Sequence, residues 1–321
     1  MPRRLVHRAA VAEVFVTDAM VLGEDHFLVG SQWPRDHALY HPDTHHRSDP
    51  LLLSETIRQA LVYLAHWHYG VPLTHRFVGY DMDFEITDPG ALCVGGLPLP
   101  VELEARWQWT DRRPPRRYGA RIEAALSVGG RSCGRGSLRV VALDERSYRI
   151  IRGSVGGADS AVAAAAEEPR RCVEPTLVGR LRNKDSVLEP GPTANEWLLR
   201  PDPDHAILFD HPTDHLPLMV LLEGFRQLGH LTTHSEAPQP GGPAFTLVSA
   251  AVDCLAFGEL DVPTRLVVLE DETAAEKRAE RRLRLDALQG DALIASCASV
   301  WAPVRLAMAG ERPVGLPVPC A

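Results

Sequence analysis

The chain of 321 residues is 45% hydrophobic and 24% charged, with a formal net charge of −8 and a pI near 6.0. That length suits two domains, each with its own core. The acidic balance excludes a general nucleic-acid binder, which needs a basic face.

The opening residues MPRRLVHRAAVAEVFVTD hold no apolar core of signal-peptide length, and no segment reaches the ~20 apolar residues of a membrane span. The six cysteines are scattered, with no C-x-x-C pair, and read as reduced. A cytoplasmic protein with no membrane partner is expected. Two strand-like runs open the chain, at 12–16 and 27–33. The His-rich loop WPRDHALYHPDTHHRSDP follows them. A helix then begins at Pro50 and runs to about Tyr69, ended by Gly70 and Pro72. Strands are expected at 76–86, 101–109, 118–128 and 137–143, with partial alternation marking one wet face. The segment DRRPPRR between two of them reads as a solvated turn around Pro114 and Pro115.

Residues 153–172 are small and Ala/Gly-rich at first and read as a linker. The order then repeats. Early strands are expected at 178–187 and 194–199, then the loop DHPTDHLP, a helix over Leu218–His234, and strands near 245–254, 265–269, 279–287 and 292–301. Two strands, one buried helix and several antiparallel strands, twice over, make an α+β layout and not an alternating parallel one. Domains are placed at 1–152 and 173–321. No G-x-G-x-x-G or P-loop motif is present, so the sequence supplies no dinucleotide or nucleoside-triphosphate site.

Each helix carries Glu-x-x-Arg-Gln: Glu55, Arg58 and Gln59, then Glu223, Arg226 and Gln227, all 168 residues apart. These residues fall on one stripe, which continues to Val62 and His66 in the first copy and to His230 and His234 in the second. The remaining faces are apolar, so protein must wrap both helices. A Glu–Arg pair on a solvated stripe would be bland, but two copies in apolar helices point to function, because burying ions rarely adds stability. The functional reading needs a carboxylate as general base and a guanidinium to hold an anion near a helix N-terminus.

The loops before the helices carry His37, His41, His45, His46 and Asp49, and then His211, Asp214 and His215. Three readings stand. These residues are turn formers and caps, with Asp49 and His215 placed for capping; or His37, His41 and His45 ligate a metal; or a loop His completes a site with the helix Glu.

The core His211, Pro217 and Glu223 resembles the hotdog-fold β-hydroxyacyl dehydratases, although Leu218 stands where their pattern has Gly. A wider match covers nearly the whole chain. VFVTD (14–18), SQWPRDHALY (31–40), DPLLLSETIRQ (49–59), YGVPLTHRFV (69–78) and DHPTDHLPLMVLLEGFRQ (210–227) resemble the A-factor biosynthesis (AfsA) family. The resemblance implies a tandem double hotdog, each half an antiparallel sheet wrapped around a long central helix. It also implies transfer of a β-ketoacyl group from acyl-carrier protein to dihydroxyacetone phosphate, giving a γ-butyrolactone or furan-type autoregulator precursor, with no metal or redox cofactor.

For that chemistry Glu223 or Glu55 suits the base, and Arg226 or Arg58 the phosphate. Gln227 and Gln59 would orient substrate, and His211 or His215 would assist proton transfer. The C-terminal set is favoured, because its loop more closely resembles the hotdog catalytic pattern. Leu218, where the family commonly has a small residue, would narrow the tunnel mouth. The alternatives are a hotdog dehydratase or thioesterase, which needs no phosphate anchor, and a non-catalytic sensor of an acyl ligand.

Overall fold

The computed structural model describes residues 1–155, 171–193, 195–234, 244–273 and 280–304. Most of the expected linker (156–170) and the end of the chain (305–321) lie outside the described residues. Strands β1 Val16–Gly23 and β2 His26–Trp33 precede helix α1 Leu51–Trp67. Then come β3 Arg76–Ile86, β4 Leu99–Arg113, β5 Arg117–Val128, β6 Arg131–Leu143 and helix α2 Glu145–Val155. The second half runs β7 Leu188–Pro190, β8 Glu196–Leu199, α3 Leu218–His234, β9 Phe245–Cys254, β10 Thr264–Thr273, β11 Arg281–Gln289 and β12 Ala292–Pro303.

The twelve strands among the described residues join one antiparallel sheet in the order β1-β2-β4-β5-β6-β3-β9-β12-β11-β10-β8-β7. The order reads alike from either end, and β3 pairs with β9 at its centre, Asp81 opposite Asp253 and Glu85 opposite Ser249. Helix α1 packs on strands of the first half and α3 on strands of the second, and the two helices touch.

The apolar patterning explains the layers. Of the seventeen residues of α1, only Arg58 and Trp67 escape full burial. Each fully buried Leu or Ile contributes roughly 1.5–3 kcal/mol, so the helix holds the strands packed against it. Pro50 holds the N-cap position, and Asp49 just before it accepts from the Leu51 N–H with Oδ1 at 2.9 Å. No helix among the described residues is long and apolar enough to cross a membrane.

Two early segments differ from expectation. Residues 12–16 and 178–187 form short 3₁₀ turns, at Val11–Glu13, Pro175–Val178 and Asn183–Asp185, and the strands start only at Val16 and Leu188. The cause is a side chain reaching across from the helix. Gln59 Oε1 accepts from the Phe15 N–H at 2.9 Å and its Nε2 donates to Glu13 O at 2.7 Å. Gln227 does the same with Val187 N–H and Asp185 O. An amide side chain thus takes the place of a ladder partner.

Candidate functional site

Glu55 sits in the second turn of α1 with no exposed surface. Arg8 meets it from the N-terminal segment, Nε to Oε1 at 2.9 Å and Nη2 to Oε2 at 2.5 Å. Arg58 adds Nε to Oε2 at 2.9 Å and Nη2 to Oε1 at 2.7 Å, and Gln59 donates at 2.6 Å. Burial alone would raise the Glu55 pKa, but Arg58 and Arg8 outweigh it and hold the carboxyl at about 2. Burial likewise opposes the charge on Arg8, yet Glu55 keeps its guanidinium more firmly protonated than usual.

The second copy repeats this frame with one exchange. Arg180 meets Glu223, Nε to Oε1 at 2.7 Å and Nη2 to Oε2 at 2.5 Å, and Gln227 donates at 2.5 Å. Arg226, however, turns away from Glu223 and donates to the carbonyls of Val178 and Gly179. Burial and the neighbouring Arg180 lower its pKa.

The loops before the helices cross to the opposite half. Asp210, ahead of α3, accepts from the N–H groups of Ala9 (2.6 Å) and Ala10 (3.0 Å) and lies 3.9 Å from Arg8. Asp49, ahead of α1, pairs with Arg180 at 2.7 Å and lies 4.0 Å from Arg226. Each arginine pair therefore faces the loop of the other half. His211 and His215 stand with Arg8 and Arg58, not with Glu223 and Arg226 as the sequence reading grouped them.

The open space follows the same division. A cavity of about 160 Å³ is bounded by Arg8, Arg58, His211 and His215 and by apolar side chains such as Phe77 and Leu218. Beside Arg226 the space is about 10 Å³, closed by Phe225, Leu247 and Trp301. The favoured C-terminal set thus sits in packed protein, and the larger opening lies at the N-terminal one. Neither glutamate borders either space. Glu55, already engaged by Arg8, Arg58 and Gln59 and binding a proton only near pH 2, is poorly suited as a base. What it does is fix two guanidiniums, and Arg58 keeps its Nη1 without a partner among the described residues.

Other loop residues are structural. His37 Nδ1 accepts from the N–H groups of Leu39 and Tyr40, and its Nε2 lies 3.3 Å from Glu13. His205 copies this with Ile207, Leu208 and Asp185. His41 Nδ1 donates to Pro42 O. Among the described residues no group of three or more His, Cys, Asp or Glu is arranged to hold a metal. His215, expected as a possible cap, hydrogen-bonds Asp214.

Sequence reasoning missed Arg8 and Arg180. Their signal is a second repeat, Leu-Val-x-Arg at 5–8 and 177–180, with an offset of 172. The Asp-His-Ala copies at 36–38 and 204–206 were equally visible.

The profile of the A-factor biosynthesis hotdog domain (AfsA) matches residues 1–144 and again 162–305. The chain belongs to the AfsA family. A relative from Streptomyces virginiae named 2-oxo-3-(phosphooxy)propyl 3-oxoalkanoate synthase is 34% identical over 297 residues, covering 92% of this chain and 96% of that one. A protein of the same name from Streptomyces coelicolor is 32% identical over 247 residues, 76% of this chain and 77% of its own. Among solved structures, the 12:0-ACP thioesterase from Umbellularia californica superposes with a TM-score of 0.53 at 10% identity, covering 86% of this chain and 94% of that one. At that identity the likeness shows the hotdog fold alone, as a large antiparallel sheet with few helices. AfsA membership therefore rests on the sequence matches.

Proposed function

We propose that this AfsA-family protein is an acyltransferase that joins a β-ketoacyl group, delivered as a thioester on acyl-carrier protein, to the hydroxyl of dihydroxyacetone phosphate. The product would be the precursor of a γ-butyrolactone or furan-type autoregulator. We further take each half as one hotdog domain, 1–152 and 173–321, joined through 153–172 into a tandem pair. The reading rests on the names carried by relatives that align along most of the chain.

One structural observation carries it beyond the names: a single cavity has a guanidinium edge and an apolar wall. Phosphate needs a fixed cation with N–H groups to spare, which Arg58 Nη1 supplies. The acyl chain needs apolar surface, which Val62, Phe77, Leu138, Val140, Leu218 and Met219 supply. Leu218 and Met219 also open α3, where first-turn N–H groups lack intrahelical acceptors and favour the negative charge that develops on the thioester oxygen. In the transfer a C–O bond forms from the hydroxyl, the C–S bond breaks, and the hydroxyl proton passes to a base and then to the leaving sulfur. Of the residues read from sequence, His211 and His215 border the cavity and suit that proton; Glu55 and Glu223 serve as counter-ions that hold arginines in place, and Gln59 and Gln227 as braces.

The test is mass spectrometry of purified protein with a panel of β-ketoacyl thioesters and dihydroxyacetone phosphate. A phosphorylated ester or butenolide, formed only with both substrates, is the expected result. Free acid released at the same rate without the phosphate would replace this reading with a thioesterase. Binding without turnover would replace it with a sensor.

A further inference from the structure

The imidazoles at or beside the cavity, His7, His66, His211 and His215, differ in what surrounds them. His7 hydrogen-bonds His66 and is pushed down to about 3 by burial, His66 and Arg58. His211, 53% exposed, lies 3.6 Å from Asp210, beyond hydrogen-bond reach, and partial burial with Arg58 and Arg8 lowers its pKa as well. Both rings face guanidiniums that oppose a second positive charge.

His215 has the opposite surroundings. Its Nδ1 lies 2.8 Å from Asp214 Oδ1, and the Tyr148 hydroxyl of α2 donates to the same oxygen at 2.5 Å. The Tyr148 oxygen also lies 3.2 Å from Nδ1; with its hydrogen on Asp214 and an ionised carboxylate only accepting, the arrangement favours a hydrogen on Nδ1 and the lone pair on Nε2. Among the described residues Nε2 has no partner, and His215 borders the cavity beside Pro217 and Leu218.

The dyad is also braced from outside its loop. Arg152 of α2 donates to Asp214 O at 3.0 Å and holds Glu259 with two bonds of 2.6 and 2.8 Å. The Leu216 N–H donates to Gly258 O at 2.8 Å, and Phe257 meets the imidazole edge-on. These contacts set the ring at a fixed position relative to Arg58, which a base and a phosphate anchor sharing one substrate require.

We propose that His215 Nε2 takes the hydroxyl proton of the acceptor, with Asp214 and Tyr148 as positioning residues and Arg152 fixing the pair. This rests on the acyl-transfer reading. As the hydroxyl oxygen bonds to the thioester carbon, its proton moves to Nε2. The imidazolium, stabilised by Asp214, then returns the proton to sulfur as the C–S bond breaks. Other charges around the dyad are Arg152 (3.7 Å from Asp214), Arg76 of β3 (3.9 Å) and Glu259. Burial would raise the Asp214 pKa, but Tyr148, His215 and Arg152 keep it low, so the carboxylate stays charged across neutral pH.

The experiment compares His215→Asn, Asp214→Asn and Tyr148→Phe in the full chain, recording kcat and KM for dihydroxyacetone phosphate. His215→Asn should lose roughly 10²–10⁴-fold in kcat with KM little changed, as for a lost general base. Asp214→Asn should lower kcat at least tenfold with KM little changed, because the ring loses the carboxylate that holds its Nδ1 side. Tyr148→Phe should lower kcat about tenfold with KM little changed. Retention of kcat within threefold in His215→Asn or in Asp214→Asn overturns the proposal. If the parent protein makes no ester from any thioester, the acyl-transfer reading fails on its own. The dyad is then judged by ¹⁵N NMR of His215 near neutral pH: a hydrogen on Nδ1 supports it and one on Nε2 overturns it.

Discussion

The two halves carry the same frame and diverge at the site. Arg8, Glu55, Gln59 and the Phe15 N–H in the first half have counterparts in Arg180, Glu223, Gln227 and the Val187 N–H. Around the first frame stands a cavity of about 160 Å³, and around the second about 10 Å³. The divergence traces to three positions. Opposite the first arginine pair the loop presents His215; the residue 168 earlier is Arg47, which closes back onto Asp43 at 2.7 Å. Where the first half has His7, the second has Gly179 at φ +64, and a Cβ there would stand 2.9 Å from Arg226 Nη2 and from His230 Cε1. Where the first helix has Val62, the second has His230, stacked on His234 at 4.1 Å. The second arginine has moved into room that the glycine vacates. Both halves thus keep the Glu-x-x-Arg-Gln motif as a scaffold, and they differ in what the opposite loop brings to it.

The largest expected break comes at Arg180, fully buried between Glu223 and Asp49. Arg180→Ala leaves two buried carboxylates short of a cation and should cost about 3–5 kcal/mol in urea unfolding. Arg8→Ala should cost less, because Glu55 keeps Arg58. Equal losses would mean the two frames are energetically alike.

Next is acid. The folded pKa of Glu55, about 2, lies below the ordinary 4.5. Its contribution is therefore present above about pH 4.5 and fades as pH falls toward 2, by roughly 3 kcal/mol at most. Unfolding free energies measured from pH 7 to pH 3 should decline less steeply in Glu55→Gln than in the parent. Parallel curves would show that the arginines do not hold this carboxylate.

How much of this was legible in the sequence depended on whether the cause was local. The bounds of α3, β3 and β9 follow from apolar patterning and punctuation by Pro and Gly, and they stand where expected. Residues 12–16 and 178–187 misled because their apolar content is strand-like while Gln59 and Gln227, far along the chain, capture their backbone groups. Arg8 and Arg180 left a readable trace in the repeated Leu-Val-x-Arg, at an offset four residues longer than that of the helices. No local pattern, however, shows that the loop before α3 serves α1. Asp210 reaching the Ala9 and Ala10 N–H groups is a tertiary fact, and it reassigns His211 and His215 to the other arginine pair.

The arginines themselves give the sharpest functional contrast. Arg58→Ala should lower kcat/KM for dihydroxyacetone phosphate by about 10–100-fold, the worth of a charge-assisted hydrogen bond or two. Arg226→Ala should stay within a few-fold once stability is allowed for, since its N–H groups go to Val178 and Gly179 carbonyls. The reverse ranking would move the working site to the second half.

The smallest effect concerns chain length. Leu218, half-buried at the cavity, has its Cδ2 3.5 Å from where a Cβ on Gly79 would stand, so the two residues set the width between α3 and β3. Leu218→Ala should favour longer acyl thioesters by about fourfold in kcat/KM per added methylene, the equivalent of ~0.8 kcal/mol each. Gly79→Val should favour shorter ones. A preference unmoved by either change would put the acyl chain elsewhere in the molecule. It would leave Arg58 and the loop histidines as a site for the phosphate alone, and the second half would then regain a claim on the acyl chain.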